Sequence, residues 1–488
     1  MIESGDIIEL RIVQMLESEN RWWKSEELAE TLSLSKATVQ KYLVSLKEKV
    51  GEFQQNEIFL QTSTSKGIYF YRSPSFNLQL LYVKIIKNLL TYSIIDGLLY
   101  NEHFSINKLA QKNYVSVASI RRKYKMINNY FNDLDLMIKK DKILGDERQI
   151  RWFFSEFYWE VYMGTEWPFQ LIPKSFVENV LATIENFFEI KVIPEVREKL
   201  MYWLTVNGLR HVRGYRVDSD SEIVKYAESS PLFKPFVQIL SELFPSEAQV
   251  ADDRGVGEMQ YLFFIANALP ALEKHIGHSE AVYIAHKTGE TKIYSATRDW
   301  LTLYEKDFHY HFSDNERCFF MQNLLRIHSY SYLYKLGGPI YEKESYVQEV
   351  VANHPIYFDK LSKLYEQLLV IYPQIMKNKD YLIESYALLA LQKFEIDIFE
   401  KVIRISLSFS EGLIYEEVVK KKLLHHFKEK FKLKFVTHTE DKDLIITNQP
   451  HIGYAEKHLV ASVNTYLTNR DYQNIEKVIT DIKNNDYV

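Results

Sequence analysis

One pattern in the first 130 residues restricts the fold more than any other: a capped helix, a tight turn and a second capped helix, written twice. The first copy is WWKSEELAETLSLSKATVQKYLVSLKEKV, residues 22–50. Ser25 is placed to cap a helix starting at Glu26, and the acidic first turn suits the positive end of the helix dipole. Leu28, Ala29 and Leu32 share one face, and Ala29 is small enough to let a second helix approach. Ser33, Leu34 and Ser35 form the turn, with the leucine inward. Ser35 then caps a helix in which Val39, Leu43 and Leu46 recur at helical spacing. This is the pattern of a helix-turn-helix. Its second helix would turn Lys36, Ala37, Thr38, Gln40 and Lys41 outward. Short polar and basic side chains at a helix N-terminus suit phosphates and base edges in a major groove. The alternating stretch IFLQTSTSKGIYFYR that follows reads as a hairpin, a wing with Lys66 near its tip.

The second copy is FSINKLAQKNYVSVASIRRKYKMINNYF, residues 104–131. Ser105 and Ser116 are the caps, and Tyr114, Val115 and Ser116 make the turn. Ile120, Tyr124 and Ile127 face a core, leaving Ala118, Ser119, Arg121, Arg122 and Lys125 outward. The run Arg121, Arg122, Lys123, Lys125 is the densest basic cluster on any helix of the chain. The stretch 136–152 reads as a second wing, with Lys139, Lys140 and Lys142 at one end and Gly145-Asp146 at a turn. Either copy alone is equally a helical hairpin with a solvated face. Two within 130 residues make that coincidence a poor account, and double-stranded DNA is the expected partner.

Charge fits a local interface. The net charge is −5, against a protein that coats nucleic acid along its length. Residues 1–72 carry 9 Lys+Arg and 11 Asp+Glu, whereas residues 73–150 carry 12 and 7, so positive charge gathers in the second copy. At 488 residues the chain exceeds what one core supports, and several domains are expected. The single cysteine, Cys318, excludes an internal disulfide and a cysteine-based zinc site. The start, MIESGDIIEL, lacks a signal-peptide pattern, and no stretch is long and apolar enough to span a bilayer. A cytoplasmic protein without membrane contact is the expectation.

The two copies, chiefly through SEELAETLSLSKATVQKYL and FSINKLAQKNYVSVASIRRKY, give the chain a resemblance to the Mga-type virulence and global transcription regulators, which include the anthrax toxin activator. That resemblance implies a mainly α, multidomain chain: a first winged helix-turn-helix at 1–75, a second with its wing at 76–168, and helical-bundle phosphotransferase regulation domains at 169–285 and 286–395. A small α/β domain similar to enzyme IIB completes it at 396–488. It further implies a homodimer or larger assembly, and control by histidine phosphorylation from the phosphocarrier protein of the sugar phosphotransferase system. In NLLRIHSYSYLYKLGG the phosphoacceptor position falls on His328. In YWLTVNGLRHVRGYRV the usual leading position is Trp203, and His211 stands about two turns later, between Arg210 and Arg213. A phosphoryl group there would bring roughly −2 charge and three acceptor oxygens. The segment EMQYLFFIANAL has no histidine where one often stands.

The last domain reads from the residues as three strands, KVIRISLSF, KLKFV and DLIITN, around a helix. An active enzyme IIB has a nucleophilic cysteine in the loop that here runs Ser408, Phe409, Ser410, Glu411, Gly412, so thiol phosphotransfer is not expected. Ser410 could hold an anion at the helix N-terminus but is read first as structural, and the domain as a contributor to self-association. No P-loop, HExxH, GxSxG or paired metal-ligand motif occurs, so neither catalysis, a metal nor a cofactor is expected. Two other readings stand beside the DNA-binding regulator: an antiterminator that binds RNA with the same regulation domains, and a phosphotransfer component.

Overall fold

The computed structural model describes residues 7–100, 105–243, 253–268, 276–336, 351, 354–428, 430–449 and 459–483. The first six residues of the N-terminal stretch read above, and Phe104 at the start of the second copy, lie outside them. The chain divides into two compact units, residues 1–295 with 325–343 and residues 296–324 with 344–488. Among the described residues there are twenty α-helices and eight short strands.

The first unit opens with helices α1 (Ile8–Ser18), α2 (Ser25–Thr31) and α3 (Lys36–Val50), then strands β1 (Ile58–Ser63) and β2 (Gly67–Arg72). The strands pair antiparallel from Ile58↔Arg72 to Ser63↔Gly67, and Trp23 joins them through a bridge to Ile68. Gly67 has φ +104, and a Cβ there would lie 2.2 Å from the Trp23 carbonyl oxygen, so only glycine fits this crossing. Leu10, Val13, Leu28, Val39, Leu43, Leu46, Ile58 and Ile68 form the buried centre. This is a winged helix-turn-helix.

Helices α4 (Gln79–Lys87) and α5 (Leu90–Tyr100) lead into α6 (Ile106–Lys112) and α7 (Val117–Asn132), followed by β3 (Met137–Lys139), β4 (Lys142–Leu144) and α8 (Glu147–Tyr162). The second copy of the pattern repeats the first with equivalent residues 81 positions apart, as in Ser35 and Ser116 or Ala29 and Ala110. The turn residues Ser33 and Tyr114 are both left-handed, at φ 55 and 54. Each turn closes by the same bond, Leu34 N–H to the Ala29 carbonyl at 2.8 Å and Val115 N–H to the Ala110 carbonyl at 3.0 Å. The second wing is shorter than expected: Asp146 caps α8, so residues 147–152 are helical, not part of a wing.

Helices α9 (Lys174–Phe188), α10 (Pro194–Val212), α11 (Ser221–Glu228), α12 (Phe233–Leu243), α13 (Asp253–Ala268) and α14 (Ile276–Thr288) continue the first unit. Helices α15 (Lys292–Phe308) and α16 (Asp314–Leu333) each begin in one unit and end in the other. The division expected at 285/286 falls inside α14. In the second unit, α15, α16, α17 (Pro355–Ile371) and α18 (Lys379–Leu391) surround an aromatic core that includes Trp300, Tyr304, Phe320 and Tyr386. The short turn Ile396–Phe399 belongs to that core, since Phe399 stacks on Tyr357 with ring centres 5.6 Å apart.

The remaining chain forms β5 (Ile403–Ser408), α19 (Leu413–Phe427), β6 (Leu433–Phe435), β7 (Leu444–Thr447), β8 (Leu459–Ser462) and α20 (Asn469–Lys483). The sheet has four parallel strands in the order β6-β5-β7-β8. The fourth strand, LVAS, is absent from the sequence expectation because four residues without clear alternation carry little periodic signal. Among the described residues the buried core of this sheet lies between Ile403 and Ile482.

Candidate nucleic-acid interface

The two reading heads differ in electrostatics. In the first, Ser35 accepts the Thr38 amide at 3.1 Å, and Lys36, Ala37, Gln40 and Lys41 are exposed while Thr38 is half-buried. Two of these side chains are already engaged by α2. The Lys36 ammonium lies 2.7 Å from Glu26, and Gln40 Nε2 donates to Ser25 Oγ at 2.8 Å. Ser25 is therefore not the cap: Lys24 holds that position, its amide donating to Glu27 at 3.3 Å, and Ser25 is the first helical residue. Lys66 is exposed at the tip of the first wing, with its ammonium 5.7 Å from the Trp22 ring centre.

In the second head Ser116 accepts the Ser119 amide at 3.1 Å, and Arg121, Arg122 and Lys125 are exposed with Ser119 half-buried. None of the three cations is ion-paired among the described residues. Lys123, counted with them from the sequence, is 7% exposed and turned into the core, because it falls on the face of Ile120 and Ile127. The wing adds to this surface. Lys139 and Lys142 are direct cross-strand partners, and Lys140 occupies the left-handed turn between them. Like charges facing each other across a ladder destabilise a hairpin unless an anion lies between or near them. The turn is held by Asp141, which accepts from Tyr124 Oη at 3.1 Å and from the Ile106 amide at 3.4 Å. The wing is thus tied to both helices of its own helix-turn-helix.

Behind the wing lies a buried ionic junction that no sequence motif announced. Arg151 on α8 is fully buried. Its guanidinium donates to Glu147 at 3.0 Å, to Asn207 on α10 at 3.1 Å, to the Tyr215 carbonyl at 3.2 Å and to both oxygens of Glu258 on α13. Burial opposes charge on Glu258, but His211 and Arg151 outweigh it and hold that carboxyl down at about 2. Arg148 donates to Asp220 at 3.0 Å, and Asp220 caps α11 and also accepts from Tyr332 Oη of α16 at 2.9 Å. The signal available was Arg151 itself, a charge at the head of the aromatic run WFFSEFYWEVY.

Both candidate histidines lie in this first unit. His211 Nδ1 is 3.5 Å from Glu258 Oε1, and the side chain is 12% exposed. The arginines expected to receive a phosphoryl group there are committed elsewhere: Arg210 grips Glu147 with two nitrogens, at 2.9 and 2.6 Å, and Arg213 donates to the Tyr100 carbonyl at 2.8 Å. His328 has no exposed surface, and burial pushes its imidazole down to about 3. A phosphoryl donor reaches it only if α16 opens. In the last domain the Ser410 amide donates to Asn448 Oδ1 and the Ser410 hydroxyl accepts from Asn448 Nδ2, both at 3.1 Å.

Residues 74–158 match the model of the Mga helix-turn-helix domain, and residues 9–68 match that of a helix-turn-helix domain. The chain carries an Mga-type helix-turn-helix domain. The chain is 21% identical to the capsule synthesis positive regulator AcpB of Bacillus anthracis over 486 residues, 96% of this chain and 97% of that one. It is 23% identical to the capsule synthesis positive regulator AcpA of the same organism over 313 residues, 62% of each. It is 25% identical to the anthrax toxin expression trans-acting positive regulator of Bacillus anthracis over 244 residues, 50% of each. The two domain matches fall on α1–β2 and on α4–α8, the two places where the pattern occurs. Among the described residues no helix is long and apolar enough to cross a membrane, and no group of three or more His, Cys, Asp or Glu is placed to hold a metal ion.

Proposed function

We propose that the chain is a DNA-binding transcription regulator whose second helix-turn-helix supplies most of the affinity. The observation that carries this reading is the set of exposed cations on one module, without ion-pair partners among the described residues: Arg121, Arg122 and Lys125 on α7 with Lys139, Lys140 and Lys142 on the wing. The first module contributes base-edge contacts through Ala37, Thr38 and Lys41 and a wing contact through Lys66, while Lys36 and Gln40 join only on release from Glu26 and Ser25. Relatives named as positive regulators make activation the expected direction. Assembly as a homodimer or larger, and control by phosphoryl transfer from the sugar phosphotransferase phosphocarrier, belong to the same reading. His211 and His328 are the modification sites, and both need local opening, because the ring nitrogens of His211 are buried and His328 has no exposed surface.

The test is binding to duplex DNA against RNA as a function of salt, with Arg121→Met/Arg122→Met beside the native chain. Each phosphate that the protein no longer neutralises lowers the salt slope by about 0.9. The double variant should therefore flatten the slope by about 2 and weaken binding across unrelated sequences. A slope unchanged by the substitutions removes α7 from the interface. Tighter binding to RNA than to duplex would favour the antiterminator.

A further inference from the structure

Arg326, on the last turns of α16, is 7% exposed. Among the described residues its one hydrogen-bond partner is the Ser279 hydroxyl on α14, 3.1 Å from Nη2, and no carboxylate pairs with it. Burial works against its charge. Buried charges in proteins are ordinarily matched by a counter-charge, because desolvation without one is expensive.

The polar groups around it are hydroxyls and a neutral imidazole, none of them a counter-charge. Seven residues beyond Ser279, on the same face of α14, stands His286; three residues beyond Arg326, on the same face of α16, stands Ser329. His286 Nε2 lies 3.4 Å from Ser329 Oγ, and the His286 ring lies 4.5 Å from that of Tyr226 on α11. Burial keeps His286 neutral, pushing its imidazole down to about 3. Arg326 is thus the one cation of the seam among the described residues. The buried carboxylate one turn before Tyr226, Glu222, is already committed: it accepts from the Lys292 amide at 2.6 Å and from the Lys225 ammonium at 3.0 Å. A guanidinium presents a planar fork of donors suited to the oxygens of phosphate.

We propose that the seam between α14 and α16 binds a small phosphate-type oxyanion, with Arg326 as its counter-ion and the Ser279 and Ser329 hydroxyls beside it. The site uses none of the residues of the DNA-facing surface, so it stands or falls independently of the regulator reading. It is also distinct from His328, which points to the opposite side of α16 from Arg326.

The experiment is thermal unfolding of the full chain in rising inorganic phosphate at constant ionic strength, with chloride as the balancing anion. A ligand that binds only the folded state raises the midpoint in a saturable manner. The native chain should show this, and Arg326→Met should shift half-saturation upward by about tenfold or more. In chloride alone the methionine variant should be no less stable than the native chain, since it removes an unmatched buried charge. Arg326→Lys keeps the charge and loses the fork; it should fold and respond more weakly. A parallel titration with glycerol 3-phosphate identifies the source: a response to phosphate alone assigns the bare ion, and a response to both assigns phosphomonoesters. A native chain that does not saturate, or equal half-saturation in native, methionine and lysine forms, overturns the proposal.

Discussion

Among individual side chains, the buried histidines make the sharpest statement about conditions. His286 and His328 are both buried, with imidazoles pushed down to about 3. In the unfolded chain the same groups take up protons near the ordinary value of about 6.5. Between those values the unfolded state binds more protons than the folded one, so stability falls as pH drops. It is fully present above about pH 6.5, and below that each histidine removes about 1.4 kcal/mol per pH unit until its folded value is reached. Urea unfolding at pH 7.5, 6.5 and 5.5 should show this loss, and His286→Phe should flatten the part due to that site. A slope unchanged by the substitution would mean that His286 titrates freely in the folded chain. Nothing in the sequence marked either residue as buried: fourteen histidines look alike in a string, and only packing separates them. The caps Ser35, Ser105 and Ser116 were legible, because a cap needs only its own next three residues. The first cap falls one position before Ser25 for the same local reason, since a glutamate three residues on serves Lys24 as well as it would serve a serine.

Among the helices, α8 decides how the second module meets the chain that follows. Its first turns carry Glu147, Arg148 and Arg151, which reach α10, α11 and α13, and Gln149 exchanges two hydrogen bonds of 2.8 Å with the backbone of Lys335 just past α16. These partners lie 56 to 186 positions away in sequence, so no local pattern could have paired them. The helix-turn-helix modules were legible because every contact that defines them falls within about 30 residues. Removing one member of a buried ion pair leaves the other uncompensated and typically costs about 3–5 kcal/mol, whereas replacing both by apolar groups costs far less. Glu258→Gln should therefore destabilise the chain by an amount in that range, and Arg151→Met/Glu258→Met should recover at least half of it. Chemical denaturation of the two variants checks this. If the double variant loses as much as the single variant or more, Arg151 is held mainly by Glu147 and Asn207 rather than by Glu258.

For the chain taken entire, the buried junction and the self-contained sheet say where it can be cut. A fragment ending at 168 would carry both helix-turn-helix modules, yet it would strip α8 of α10, α13 and the end of α16, exposing Arg151, Trp152 and Phe154 to water. A cut after Glu400 behaves differently. The last domain draws its core from Ile403 to Ile482, and Phe399 stays with Tyr357 on the retained side. The Glu400 carboxylate keeps the Tyr357 amide at 2.9 Å but loses Lys483, 3.5 Å away, and the cut that removes this partner also opens the carboxylate to water. Removal of residues 401–488 should therefore leave a cooperatively folded chain, while the fragment ending at 168 should be markedly less stable. If the last domain drives self-association, the shortened chain should also fall in mass to the monomer in sedimentation equilibrium. Its affinity for a single half-site should hold, while affinity for a paired site drops as the two half-sites cease to be bound together. An unchanged mass would place the assembly surface among residues 1–400, and an equal loss on single and paired sites would mean that the last domain supports the reading heads directly rather than by joining two chains.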